Sequence, residues 1–559
     1  MNLDIVVRNG HVVDGSGLGP YRADVGISEG RIVTIGRIRE RGATDIDAEG
    51  HVITPGFIDG HTHLDAQVFW DPLGANDCWH GVTTAVMGNC GFTLAPAAPD
   101  ARALVVRNLE RAEDISGAAM AAGIDWNWTT FAEYLDAVDQ LPKGINYAAN
   151  IGHSALRTYV MGERAFEEEA TPDDLAAMTS ELLSSLQAGA YGFTTSRTRH
   201  HQTSDDRPVA SRIASWDEVC ALVRVLGDAN VGTFQFVEDS PPPDERDAHH
   251  ARLIALAAET GVPFAIGATS GADRVLPLLD ACADAGGRMF GLGHCRGIGT
   301  LSSFRTQLPF DRLPEWRELR SRPLDEQRRM LTDRSLVARL AQIALAGPYP
   351  DAFGGEARPP DFARMQVLER PVPPNPTVAE AARERGVDPV TYLIGRALES
   401  DLAQFFVQTN APFDHDDVER ILRHPQTVMA FSDAGAHVSQ MSDASLPTHL
   451  LAHWVRDRGD FTIEEAIRML TLEPARAWGF HDRGLLREGL VADCNIIDLA
   501  TVAPAMPTVV NDLPAGEKRI DQRATGFLAT IVGGQVTQRD GEPTGALPGR
   551  LLRGPLARR

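Results

Sequence analysis

In the stretch PGFIDGHTHLD, Pro55 to Asp65, two histidines stand one residue apart at the end of a short apolar run. In an extended strand, alternation sends Phe57, Asp59, His61 and His63 to one face and Ile58, Gly60 and Thr62 to the other. Side-by-side imidazoles of this kind suit two ligands on one metal ion. A carboxylate to complete such a set occurs in FSDAGAH, where Asp433 follows another apolar run. Two imidazoles and one carboxylate can hold a catalytic zinc and leave a position for water. Cys90, in MGNCG, either adds a thiolate or packs as a small buried hydrophobe. His437, four residues beyond Asp433, can orient a ligand or hydrogen-bond an oxyanion. Gln235, Glu238 and His294 are weaker candidates as additional ligands.

If the substrate carries a carboxylate, an arginine must receive it, because the chain has only two lysines, Lys143 and Lys518. Arginine offers a planar fork that matches a carboxylate with two hydrogen bonds. Arg157 in LRTYVMGER and Arg197 and Arg199 in SRTRHHQ are the candidates, and the sequence leaves the choice among them open.

These side chains need a scaffold that brings strand ends together. Eight short apolar runs suggest it: GFIDGHTH, GVTTAVMGNCG, INYAANIGHS, GAYGFTTS, GTFQFVED, VPFAIGATSG, RMFGLGHC and TVMAFSDAG. Most are separated by helix-like stretches such as TPDDLAAMTSELLSSLQAG, so the expected fold is α/β, a metal-binding (β/α)8 TIM-like barrel. In that architecture the C-terminal ends of the strands face the active site, where His61, His63, Cys90 and Asp433 would lie. Short β-branched runs with Gly-containing turns open the chain and return near its end. They predict a β-sandwich assembled from both termini, residues 1–54 and 483–545, around a barrel at 55–482. Residues 296–410 interrupt the barrel rhythm as a mostly helical insertion, read either as a lid or as an oligomer contact. The tail 546–559 carries Arg550, Arg553, Arg558 and Arg559 interleaved with leucines. It is expected to lie as a basic arm on a second subunit of a homo-oligomer.

Composition narrows the partners. The 559 residues are 43% hydrophobic and 23% charged, ordinary for a globular enzyme with a large core. A formal net charge of -23 disfavours nucleic acid and anionic membranes and leaves a small molecule as the expected partner. The N-terminus lacks the pattern of a signal peptide, and no run is long and apolar enough to span a membrane. Six scattered cysteines without a C-x-x-C motif suit reduced thiols in the cytoplasm.

The segments ITPGFIDGHTHLD and GLLREGLVADCNIIDL resemble the amidohydrolase superfamily, and GVTTAVMGNCGFTLAP, IGHSALRTYVMG and FSDAGAH resemble its N-acyl-D-amino-acid deacylase (D-aminoacylase) group. The resemblance runs from about residue 3 to about residue 545. It implies the composite sandwich beside a metal-binding barrel, and His61, His63, Cys90 and Asp433 as metal ligands. It also exposes departures. The group carries histidines in a THLR-like motif on the fifth strand and an SHLK-like motif on the sixth. Here those places read TFQFVED and FAIGATSG. One metal site survives, so about one zinc per chain is expected, with another divalent metal as the alternative. The implied reaction is hydrolysis of an amide C–N bond in an N-acyl-D-amino acid or related acylated amine, with Asp433 moving the proton. The alternatives are another reaction on the same metal, such as ester or lactone hydrolysis, decarboxylation or hydration, and an inactive scaffold.

Overall fold

The computed structural model describes residues 3–238, 241–354 and 356–557. At its centre are parallel strands: β1 (Phe57–Asp59), β2 (Val82–Met87), β3 (Asn146–Ala149), β4 (Gly192–Ser196), β5 (Thr233–Val237), β6 (Pro263–Ala268), β7 (Arg288–Gly293) and β8 (Thr427–Met429). β1, β2 and β3 pair in one parallel sheet. Ile151–Gly152, which continues β3 after Asn150, joins β4 to β8 in a second. The sheets meet at both edges. Across Asn150, its N–H donates to the Met87 carbonyl at 2.9 Å and the Tyr191 N–H to the Ala149 carbonyl at 2.8 Å. On the other side the Asp433 N–H donates to the His61 carbonyl at 3.1 Å and the His63 N–H to the Ala434 carbonyl at 2.7 Å.

The strands read as unbroken apolar runs because both faces are covered; every residue of β2 is buried. Helices such as Pro172–Ala188 and Trp216–Ala229 alternate with them, each started by a side-chain cap from Thr171 or Ser215. Gly60, between Asp59 and His61, is forced by packing: a Cβ there would come within 2.2 Å of the Trp478 ring.

Both ends of the chain build one nine-stranded sheet. Cys494–Ile497 pairs antiparallel with Val52–Pro55, with Asn495 opposite Thr54, and Val52–Pro55 leads directly into β1. The termini therefore hold the entry to the strand that delivers the histidines.

Within the insertion, helices span Pro314–Arg320, Leu324–Met330, Arg334–Ala346, Val378–Glu384 and Pro389–Glu399. It also contains a small antiparallel sheet, Gly299–Ser302, Phe406–Thr409 and Gln366–Val367, that the helix-like pattern did not announce. Its own apolar cluster includes Trp316, Phe310, Leu393 and Phe406.

The expectation for the C-terminal arm is corrected. Its described part packs on its own chain: the Tyr147 N–H donates to the Arg550 carbonyl at 2.9 Å, Leu552 N–H returns to the Tyr147 carbonyl at 2.7 Å, and Arg553 pairs with Asp136 at 2.6 Å. Leu551 is buried in the main apolar cluster beside β3. The leucines thus find apolar surface within the subunit. Arg558 and Arg559 lie outside the described residues. No helix of the described residues is long and apolar enough to cross a membrane.

Candidate functional site

Past β1, the chain carries His61 and His63 inward, both fully buried. The Asp59 carboxylate accepts the His61 N–H at 3.1 Å and so fixes the strand end. After β2, Asn89 turns the chain by donating to the carbonyls of Thr62 and Val86. Cys90 then adopts a left-handed conformation, φ 54°, and its N–H is held by the Gln235 side-chain oxygen at 2.8 Å. After β8, Asp433 and His437 also sit at positive φ, 53° and 49°. Non-glycine residues pay for such conformations, and three together mark a constrained site.

The result is compact. One ligand atom from each of His61, His63 and Cys90 lies within 4.8 Å of the other two. Cys90 Sγ is 3.4 Å from His61 Nε2. Asp433 Oδ1 is 3.2 Å from His61 Nε2 and 3.5 Å from His63 Nε2. These separations match the edges of a coordination shell with ligands about 2.0–2.3 Å from a common ion.

Sequence reasoning missed Glu113. It follows the helix Arg102–Glu110 and is buried, with Oε2 3.6 Å from His63 Nε2 and 3.5 Å from His437 Nε2. Its carbonyl accepts the His437 N–H. Its neighbours pin the loop: Asp114 accepts from Ser439 Oγ at 2.7 Å, and Arg111 pairs with Asp206 and Glu356. The segment RAED has no pattern that separates it from an exposed charged loop, so no sequence signal pointed to it.

Electrostatics sharpen the picture. Burial pushes the carboxyls of Asp59, Asp65 and Glu113 each up to about 7, with His63 opposing the shift at Asp65 and Glu113. For Asp433 burial acts the same way, but hydrogen bonds from His61 and His63 outweigh it and hold the carboxyl well below its usual range. Burial works against a charged His63, yet Glu113 and Asp433 raise its pKa to about 9. The ion-pair partners of Asp433 and Glu113 are imidazoles. His63 Nε2, the ring nitrogen that faces the cluster, and Glu113 Oε1 and Asp65 Oδ1 are buried without hydrogen-bond partners among the described residues, as are the Nδ1 atoms of His61 and His63. Buried acids and orphaned imidazole nitrogens call for a cation, and the imidazole–thiolate–carboxylate donor set fits zinc.

The other candidates go elsewhere. Arg157 is corrected: it is fully buried and committed to Glu218 and to the Glu168 carbonyl at 2.6 Å, with His153 on the other Glu218 oxygen at 2.8 Å. That network fastens the helix after β3 and leaves no fork for a ligand. Arg197 donates to the Ala214 carbonyl, and Arg199 is exposed on the loop beyond β4. Glu238 is engaged by His250 and Arg274, and His294 by Asp443, 3.1 Å away. Gln235 acts from behind, through the Cys90 N–H.

Comparison with known proteins agrees with the geometry. A sequence model of the amidohydrolase family matches residues 45–538, and the chain belongs to that family. It is similar to the D-aminoacylase of Alcaligenes xylosoxydans xylosoxydans, 28% identical over 563 residues that cover 98% of this chain and 97% of that one. Its fold is that of the N-acyl-D-glutamate deacylase of Bordetella bronchiseptica, solved with zinc and a phosphonate mimic of the tetrahedral intermediate, at TM-score 0.65 and 24% identity over 99% of this chain and 100% of the other. A D-aminoacylase studied for its binuclear metal centre, with one-metal activation and second-metal attenuation, matches equally, at TM-score 0.65, 24% identity and the same coverage.

Proposed function

We propose that this protein is a metal-dependent hydrolase that cleaves the amide bond of an N-acyl-D-amino acid, giving a carboxylic acid and a free D-amino acid. The observation that carries the reading is Asp433 Oδ1 set against both His61 and His63 beside the Cys90 thiol. The similarity to D-aminoacylase along nearly the whole chain supports the substrate class. We assign His61, His63, Cys90 and Asp433 as the residues that hold one zinc ion. When bound, zinc supplies Lewis acidity, lowering the pKa of water towards about 7 and polarising a carbonyl.

The chain's own groups do the rest. Asp433, kept ionised by the two imidazoles, accepts the proton from the attacking water and delivers it to the leaving nitrogen as the C–N bond breaks. His437, its pKa lowered by burial to about 4, is neutral at pH 7 and hydrogen-bonds the oxygen on which negative charge develops. Glu113 keeps His437 in place through its carbonyl and carboxylate.

For the scaffold, we propose that the two parallel sheets form one (β/α)8 barrel over 55–482. Residues 1–54 and 483–545 would form the β-sandwich beside it, and 546–557 a tail fastened to the barrel; the edge hydrogen bonds and the nine-stranded sheet support this division. Six free cysteines, all buried, support a reducing cytoplasmic setting.

The test is metal analysis of the purified protein, then assay of the metal-loaded enzyme against N-acetyl-D- and N-acetyl-L-amino acids. Metal-dependent release of D-amino acid is the expected result. A protein that binds metal but releases no amine from any N-acylated substrate would overturn the reading.

A further inference from the structure

Gly354 and Glu356, in the insertion, lie against the loops that carry the site. The Gly354 N–H donates to the His200 carbonyl at 2.9 Å. Glu356 is gripped on both oxygens, by Arg111 Nε at 3.0 Å and Arg312 Nη1 at 2.9 Å. Arg111 stands two residues before Glu113, so this clasp joins the insertion to the loop that reaches His63 and His437. The approach is close: a Cβ on Gly354, at φ 50°, would come within 2.4 Å of the Arg111 carbonyl oxygen.

Arg358, two residues beyond Glu356, is partly buried on this segment. Its Nη2 donates to the Gly354 carbonyl at 3.1 Å, which fixes the guanidinium plane. Its Nη1 is buried without a hydrogen-bond partner among the described residues. Its charge reaches both His200 and His437, where it adds to the lowering caused chiefly by burial. Burial also lowers the pKa of Arg358 itself, with Glu356 offsetting it. A buried donor without an acceptor is destabilising, and an anionic ligand would supply the missing acceptor. Three other cations are already engaged: Lys143 donates to the carbonyls of Val138, Asp139 and Leu141, Lys518 to that of Arg305, and Arg157 is paired with Glu218.

We propose that Arg358 receives the carboxylate of the substrate, so that the insertion reads the acid group of the N-acyl amino acid from the His437 side of the site. This assignment rests on the functional reading above. The insertion thereby selects among substrates. One with a carboxylate bonds to the same loop that Glu356 clasps to Arg111, whereas a neutral amide does not.

The experiment compares wild type, Arg358→Lys and Arg358→Met, all metal-loaded, on N-acetyl-D-leucine and on N-acetyl-3-methylbutylamine, which lacks only the carboxylate. Calorimetric titration with D-leucine measures carboxylate binding without turnover, and melting curves check folding. Arg358→Met should raise KM for the acid by about tenfold or more, change kcat by less than about threefold, and leave kcat/KM for the neutral amide unaltered. D-leucine affinity should fall by a similar factor, with Arg358→Lys in between. An unchanged acid-to-amide ratio in Arg358→Met, or unchanged D-leucine affinity, overturns the assignment alone. A wild-type enzyme that neither cleaves the acid nor binds D-leucine overturns the functional reading together with it.

Discussion

Glu113 places its Oε2 3.6 Å from the Nε2 of His63, the imidazole nitrogen that Asp433 also faces, at 3.5 Å. Two carboxylates from different loops converge on one ring nitrogen in a buried space. Proton or metal, a positive charge belongs between them, and the energetics of the site follow from which of the two is present.

Metal content should therefore be about one ion per chain, with zinc preferred. Cys90→Ser should lower it sharply in atomic-emission analysis after dialysis against a mild chelator, because a hydroxyl is a poor substitute for thiolate. Retention of the full metal complement in that variant would show Cys90 to be a packing residue.

Asp433→Asn and His61→Ala should each reduce kcat/KM by about 10²–10⁴-fold. Circular dichroism should remain that of the wild type, since both residues sit beyond the ends of their strands rather than within them. Loss of the folded spectrum in both variants would make the cluster a structural element instead.

Acid stability should depend on Glu218. Burial raises its carboxyl, but His153 and Arg157 outweigh that and leave the folded-state value at about 2, below the ordinary 4.5. A depressed carboxylate contributes stability that is complete above the unfolded value and is lost as the pH falls from about 4.5 towards 2. The contribution at neutral pH is on the order of 3 kcal/mol. In urea titrations between pH 6 and 3, Glu218→Gln should be less stable at pH 6 and show a weaker acid-induced decline than the wild type. Parallel pH profiles for the two proteins would show that the network carries no such linkage.

Removing residues 546–557 should lower the melting temperature without changing the mass in solution. Leu551→Ala alone should cost roughly 2–3 kcal/mol, as a truncation within a packed cluster does. A change of oligomeric mass on truncation would return the arm to a role between subunits.

That His61, His63 and Asp433 come together was legible in the sequence, because residue type, spacing and position at strand ends pointed the same way; for Cys90 the residue type suited a packed core equally, and only the family resemblance made it a ligand candidate. The Gly-containing turns likewise announced that both termini contribute strands. Glu113 and Arg358 were not legible. Each lies on a loop whose course is set by contacts distant in sequence, Asp114 with Ser439 in one case and Glu356 with Arg111 and Arg312 in the other. Arg157 misled for the complementary reason. The sequence shows an arginine near a strand end but not that Glu218, on a later helix, already holds it. The arm's leucines pack within the same subunit, a destination set by the folded chain and not by their spacing.

The pairing of Asn495 with Thr54 also bears on how the enzyme is made. The segment that steadies the entry to β1 leaves the ribosome among the last parts of the chain, long after the histidines it helps to place. During synthesis the growing polypeptide thus carries His61 and His63 on a strand that lacks its antiparallel neighbour, and the sheet leading into that strand is completed only near the end of translation. Truncated products that stop before Cys494 carry His61, His63, Cys90 and Asp433 but not the strand that anchors them.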